Sequence, residues 1–167
     1  MRFLLIDRIT AWQPGRRGCA VKCVALSEDV FADHFPNKPI MPGVLLLEGM
    51  AQLAGLLLEA GVRDQPGRET SKALMSIVER LKFRAPVWPG DRLDYEAEVL
   101  SCNEAGGRVQ VTARREGQAV ADGILVFSFH PLADPHLEAH RARILALWHR
   151  DREDAAAAAA PAAPPPP

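Results

Sequence analysis

An α+β fold, one antiparallel sheet wrapped around a single buried helix, is predicted by three features of this 167-residue chain. The stretch from Val44 to Leu58 is apolar on nearly every side of a helix, which marks a helix enclosed by protein. Six segments have strand character, the clearest being Leu93, Tyr95, Ala97 and Val99 alternating with Asp94, Glu96 and Glu98. Their order is two strands, the helix, then four strands joined mostly by hairpin signals. A long antiparallel sheet needs its apolar face covered, and one apolar helix is available to cover it.

In chain order, residues 2–12 read as a strand with Phe3, Leu5 and Ile9 inward, followed by a Gln13-Pro14-Gly15 turn. Residues 17–27 read as its hairpin partner, with Cys19, Val21, Cys23 and Ala25 on one face and Lys22 and Val24 on the other. Ser27-Glu28-Asp29 predicts a capped single helical turn leading to Phe31. Residues 34–43 hold His34 among three prolines and a glycine, which makes a stiff, irregular loop. Pro42 suits the first helical position, and the helix stops near Gly61. A polar loop spans 63–71, and a strand runs over about 72–84 through Leu74, Ser76 and Val78 to Phe83. Lys82 to Asp91 then read as a strand end, a proline-stiffened bulge and a Pro-Gly turn. Asn103 to Gly107 turn the next strand. Val109, Val111 and Ala113 form the one after, and Glu116-Gly117 is a tight hairpin before the last, Gln118 to Phe129.

Three units follow: a domain over 1–131, a helical extension over 132–150 and an Ala/Pro tail over 151–167. In the extension, Asp134-Pro135 starts a helix whose stripe of Leu137, Ile144, Leu147 and Trp148 is expected to pack on its own domain, with docking of a partner as the alternative. The tail has no means of burying area and is expected to be disordered. A net charge of −1 points to neither nucleic acid nor a membrane surface. Cys19 and Cys23, four apart in a strand, lie about 13 Å apart, too far for a disulfide. Unpaired cysteines and no visible targeting segment fit a reducing cytoplasm. Glu48, Gln52 and Glu59 break the central helix into runs well below the ~18 residues a membrane span needs.

Glu48 is the anomaly of that helix, since a buried carboxylate is costly unless paired or neutral. Gln52 lies one turn on and is placed to hold it; Glu59 shares the face but falls near the helix end, where solvent is expected to reach it. Taken singly, Glu48 reads as half of a satisfied polar pair and His34 as a surface histidine. Together, a histidine before a helix start, an acid inside it and the free N–H of Gly43 supply a base, an acid and an oxyanion donor.

The run His34-Phe35-Pro36-Asn37-Lys38-Pro39-Ile40-Met41-Pro42-Gly43-Val44, continuing to Glu48, Ala51 and Gln52, resembles the active-site segment of the FabZ-type 3-hydroxyacyl-ACP dehydratases. His34 and Glu48 keep that family's spacing of fourteen residues, while Asn37 stands where the family usually has glycine. Lys82-Phe83-Arg84-Ala85-Pro86-Val87-Trp88-Pro89-Gly90-Asp91 is similar to a second family segment, and the likeness covers roughly residues 3–130. The resemblance implies a hotdog fold and dehydration of a (3R)-3-hydroxyacyl thioester to the trans-2-enoyl thioester. It implies His34 as base, Glu48 as acid, and Gly43, Gln52, Phe35 and Val44 as substrate-binding residues, with no metal or other cofactor. It implies an acyl carrier protein as partner, for which Arg80, Lys82 and Arg84 are docking candidates. It also implies a homodimer, extending to a hexamer, in which His34 faces Glu48 of the other subunit beside an apolar acyl tunnel. The rival expectations are a hotdog acyl-thioesterase or isomerising dehydratase, and a non-catalytic acyl-thioester-binding subunit.

Overall fold

A computed structural model describes residues 3–150. Six antiparallel strands form one sheet in the order β1-β2-β4-β5-β6-β3. In sequence they are β1 (Arg8–Gln13), β2 (Arg17–Cys23), β3 (Ser71–Phe83), β4 (Arg92–Cys102), β5 (Gly106–Arg115) and β6 (Gln118–Pro131). The helix α1 (Gly43–Val62) falls between β2 and β3, and α2 (Pro135–Trp148) follows β6. The sheet wraps α1, as the sequence predicts.

Packing follows the alternation. Leu93, Tyr95 and Ala97 of β4, Val109, Val111 and Ala113 of β5, and Ala121 and Leu125 of β6 are buried on one face. Met50, Leu53, Ala54 and Leu57 of α1 meet that face and are fully enclosed. α1 is long and apolar enough to cross a membrane by length and composition, but most of it is buried within this core. Two close approaches set its position. The β1–β2 turn sits on the end of α1, where a Cβ on Gly15 would come 2.9 Å from the Gly61 Cα. At mid-helix, a Cβ on Gly49 would come 2.5 Å from the Tyr95 hydroxyl. Tyr95 is buried and cannot swing away, so Gly49→Ala should lower unfolding free energy by about 1–3 kcal/mol, read from urea denaturation.

The β5–β6 turn is the tight hairpin expected, with Glu116 and Gly117 both at positive φ (51° and 79°). Several expectations are corrected. The first strand begins at Arg8, not residue 2; the Asp7 N–H donates to the Val21 carbonyl at 2.8 Å, residues 3–6 lie outside the strand, and there Leu5 and Ile6 are buried while Phe3 is exposed. β2 ends at Cys23, and its core face is Gly18, Ala20 and, just beyond, Val24, while Cys23 points to solvent. Lys22 shares that parity and is buried, its ammonium 2.8 Å from Glu28. The turn Asp29–Ala32 is present but has no side-chain cap, because Glu28 is turned toward Lys22 and the Ala25 N–H. Pro42 is the cap of α1 rather than its first residue, while the helix ends at Val62, beside the Gly61 stop that the sequence predicts.

The extension forms α2 with Asp134 as cap, its side chain accepting from the His136 and Leu137 N–H groups. Trp148 is buried, but Leu147 is exposed, so the stripe runs through Ile144, Leu145 and Trp148 instead. The expected tail at 151–167 lies outside the described residues. β3 occupies one edge of the sheet, and Leu74, Met75, Ile77, Val78 and Phe83 along it are exposed.

Candidate active site

The loop from His34 to Met41 is held by backbone bonds at both ends. The His34 N–H donates to the Val30 carbonyl at 3.0 Å, and the Ile40 N–H donates to the His34 carbonyl at 2.9 Å. The Met41 N–H then ties the loop to the Val87 carbonyl at 2.8 Å, which anchors it to the Pro86–Asp91 segment. Asn37 adopts φ +65°, so asparagine here takes the left-handed conformation that glycine takes without strain.

The His34 ring is fixed in turn. Its Nδ1 lies 2.8 Å from the Ile40 carbonyl oxygen. A carbonyl only accepts, so Nδ1 carries the hydrogen, and in the neutral ring Nε2 is the nitrogen with the lone pair. Phe35 stacks on the imidazole with ring centroids 4.1 Å apart. His34 is half-exposed, and both Phe35 and Val44 are largely exposed around it.

α1 starts immediately after this loop. Its first bonds are from Leu45 and Leu46 back to the Pro42 carbonyl, at 2.9 and 3.3 Å. The Gly43 and Val44 N–H groups have no acceptor among the described residues, as expected of a helix start. The Phe83 ring lies across Gly43, where an added Cβ would come 2.9 Å from the ring. These unpaired donors lie at the positive end of the helix, where the sequence places an oxyanion donor at Gly43.

Glu48 is half-buried rather than enclosed. Its Oε1 accepts from the Gln52 Nε2 at 3.0 Å. Gln52 also donates to the Phe3 carbonyl at 2.9 Å and accepts from the Leu5 N–H at 3.0 Å. One side chain thus orients the carboxyl and pins residues 3–5 over α1. Gln52→Leu removes these bonds and should cost about 2 kcal/mol, read as a lower urea midpoint.

Glu48 and Gln52 line a cavity of about 460 Å³ between α1, β3 and α2. Its apolar walls include Leu4, Leu74, Met75, Phe127 and Ile144, and its polar groups also include Glu59, His140 and Arg141. His34 is not among its lining residues; the structure gathers Glu48 with Gln52, and holds His34 against Ile40 and Phe35 in the loop that leads to the helix start. His140 and Arg141 carried no signal in the sequence, since they look like polar positions of a surface helix. Glu59, expected in solvent, is buried, accepting from the Ala73 N–H at 2.9 Å and pairing with Arg141. Of the three basic candidates, Arg80 and Lys82 are exposed at a bulge in β3, with Arg80 at φ +53°. Arg84 is paired with Asp122, Nη2 to Oδ2 3.1 Å, so its charge is partly spent within the subunit.

Among known proteins, the FabA-like domain family matches residues 1–130. The 3-hydroxyacyl-[acyl-carrier-protein] dehydratase FabZ of Helicobacter pylori strain G27 is 43% identical over 124 residues, 73% of this chain and 78% of that protein. The FabZ of Anaeromyxobacter sp. strain K is 42% identical over 120 residues, covering 72% of this chain and 76% of that protein. Among solved structures, S. sahachiroi AziG superposes with a TM-score of 0.60 at 17% identity, over 75% of this chain and 91% of that one. The uncharacterised protein PH1136 from Pyrococcus horikoshii gives 0.59 at 18% identity, over 82% and 91%. These last two likenesses speak for the fold alone.

Proposed function

Because this chain belongs to the FabA-like family, we propose that it dehydrates a (3R)-3-hydroxyacyl thioester carried on acyl carrier protein, giving the trans-2-enoyl thioester and water. The observation that carries the reading is the His34 ring held through Nδ1, so that Nε2 is the lone-pair nitrogen of the neutral ring, on the loop that leads into a helix start with unpaired N–H groups.

In this reaction the thioester oxygen binds at the Gly43 N–H, where the positive end of α1 stabilises the enolate. His34 Nε2 removes the proton from C2. Glu48 donates a proton to the C3 hydroxyl as the C3–O bond breaks, and water leaves. The imidazolium then returns its proton to the Glu48 carboxylate through solvent, and the cycle closes with no redox change. Gln52 keeps the Glu48 carboxyl turned into the cavity, and Phe35 and Val44 flank the substrate at the helix start. The test is turnover of 3-hydroxyacyl-ACP by the purified protein, followed by enoyl absorbance. Release of free carrier thiol instead would favour a thioesterase, and tight binding with neither product would favour a non-catalytic subunit.

Edge strand β3 supports a homodimer. It is 13 residues long, with free backbone groups on its outer side and exposed Leu74, Ile77 and Phe83. Such an edge pairs readily with a second copy of itself. Further assembly into a hexamer is decided by light scattering. The cytoplasm, where thiols stay reduced, suits the free Cys19, Cys23 and Cys102. Arg80 and Lys82 are the docking residues for an acidic carrier, with Arg84 secondary. Reversing both to glutamate should raise KM for the carrier-bound substrate about 3–10-fold more than for a small-molecule thioester.

A further inference from the structure

α2 begins beyond residue 130, where the family match ends, yet it is built into the domain. Lys72 and Glu59 are buried charged residues of the matched domain, and each finds its opposite charge on α2. Lys72 Nζ lies 2.5 Å from Glu138, and Arg141 pairs with Glu59. Trp148 is buried, and the His149 ring meets Trp12 edge-on at 5.2 Å between centroids.

The docked helix covers one stripe of α1. Glu48, Gln52, Gly55, Leu56 and Glu59 recur at helical spacing and all face the cavity. Glu48 stands at one end of this stripe and the Glu59–Arg141 pair at the other. The separation of eleven helix positions is about 16 Å, room for the extended part of an acyl chain on the order of twelve carbons. Buried Phe127 forms the inner wall, the partly exposed Leu74 and Met75 of edge strand β3 form one side, and Leu137, Ile144 and Trp148 of α2 form the other. An alkyl chain that reaches the far end meets an ion pair, where further methylenes displace solvation without gaining apolar contact.

Resting on the dehydratase reading, we propose that α2 is the acyl-length determinant of this enzyme: it walls the acyl cavity against solvent, and its Arg141, paired with Glu59, ends it. The substrates are unbranched 3-hydroxyacyl chains up to about fifteen carbons, three at the reacting end and about twelve along the stripe. Within that limit each added methylene should tighten binding about fourfold, and beyond it the gain should stop.

The test uses the full chain and Ile144→Trp, which fills the cavity from the α2 side. kcat/KM is measured for four-, eight- and twelve-carbon 3-hydroxyacyl-ACP, and Kd for the matching saturated acyl-ACPs by calorimetry. The twelve- to four-carbon ratio of kcat/KM should fall at least tenfold, and the corresponding ratio of Kd should rise at least tenfold. A helix that served only to stabilise the fold would lower all lengths together. A ratio within twofold of wild type, or a wild-type Kd that is flat with chain length, overturns the proposal. If melting curves show that Ile144→Trp does not fold, Leu137→Trp, at a more exposed place on the same wall, decides by the same criterion. The saturated series needs no turnover. A wild-type enzyme that binds these chains by length but dehydrates none would sink the dehydratase reading and leave the assignment of α2 standing.

Discussion

His34→Ala is expected to lower kcat by about 10²–10⁴-fold while leaving the melting temperature nearly unchanged. The two halves of this expectation have separate causes. The ring is half-exposed and makes one side-chain bond, to the Ile40 carbonyl, so its loss costs the fold little. The loop keeps its shape through the backbone bonds from His34, Ile40 and Met41, which alanine preserves. The chemistry has no such reserve. Removing a proton beside a thioester needs a base in place, and water is a poor substitute at neutral pH. Stopped-flow or steady-state enoyl absorbance, with circular dichroism alongside, reads both quantities. A variant that kept more than a third of wild-type kcat would show that another group is the base.

The residues of the proposed site stand out in the sequence because they lie in one continuous stretch. Loop, helix cap, oxyanion donors and acid follow each other within residues 34–52, where local rules about proline, glycine and helical spacing apply directly. The sheet was legible for a similar reason: β4, β5 and β6 alternate cleanly, and their turns carry strong local signals. β2 was harder. Small apolar residues occupy both of its faces, so alternation did not say which one met the core, and Lys22 lies buried among the inward set. Residues 3–7 looked like a strand from composition, yet what holds Leu5 is Gln52, 47 residues away. Glu59 was the largest miss. Near a helix end it read as solvated, because its partner Arg141 is 82 residues distant on a helix that the family pattern does not include. Long-range pairing of charges leaves no periodic trace, whereas capping and alternation do.

Mixing two inactive variants should restore activity if each active site is shared between subunits. His34→Ala supplies an intact Glu48, and Glu48→Gln supplies an intact His34 while keeping the shape of the side chain, so no cavity is left. The structure gives two reasons to expect sharing. In one subunit the cavity holding Glu48 is not lined by His34. The exposed apolar edge of β3, with Phe83 lying across Gly43, brings a second copy close to the helix start if the edges pair. In a randomly exchanged population about half of the dimers are mixed, and each mixed dimer has one site with both residues and one with neither, so activity should reach about a quarter of wild type. Each variant alone stays near background, so the recovery is large against its baseline. Mass spectrometry under native conditions confirms that mixed dimers have formed. Confirmed mixed dimers that remain inactive would place His34 and Glu48 of a working site in one subunit, and the pairing through β3 would then have to be reassigned a purely structural role.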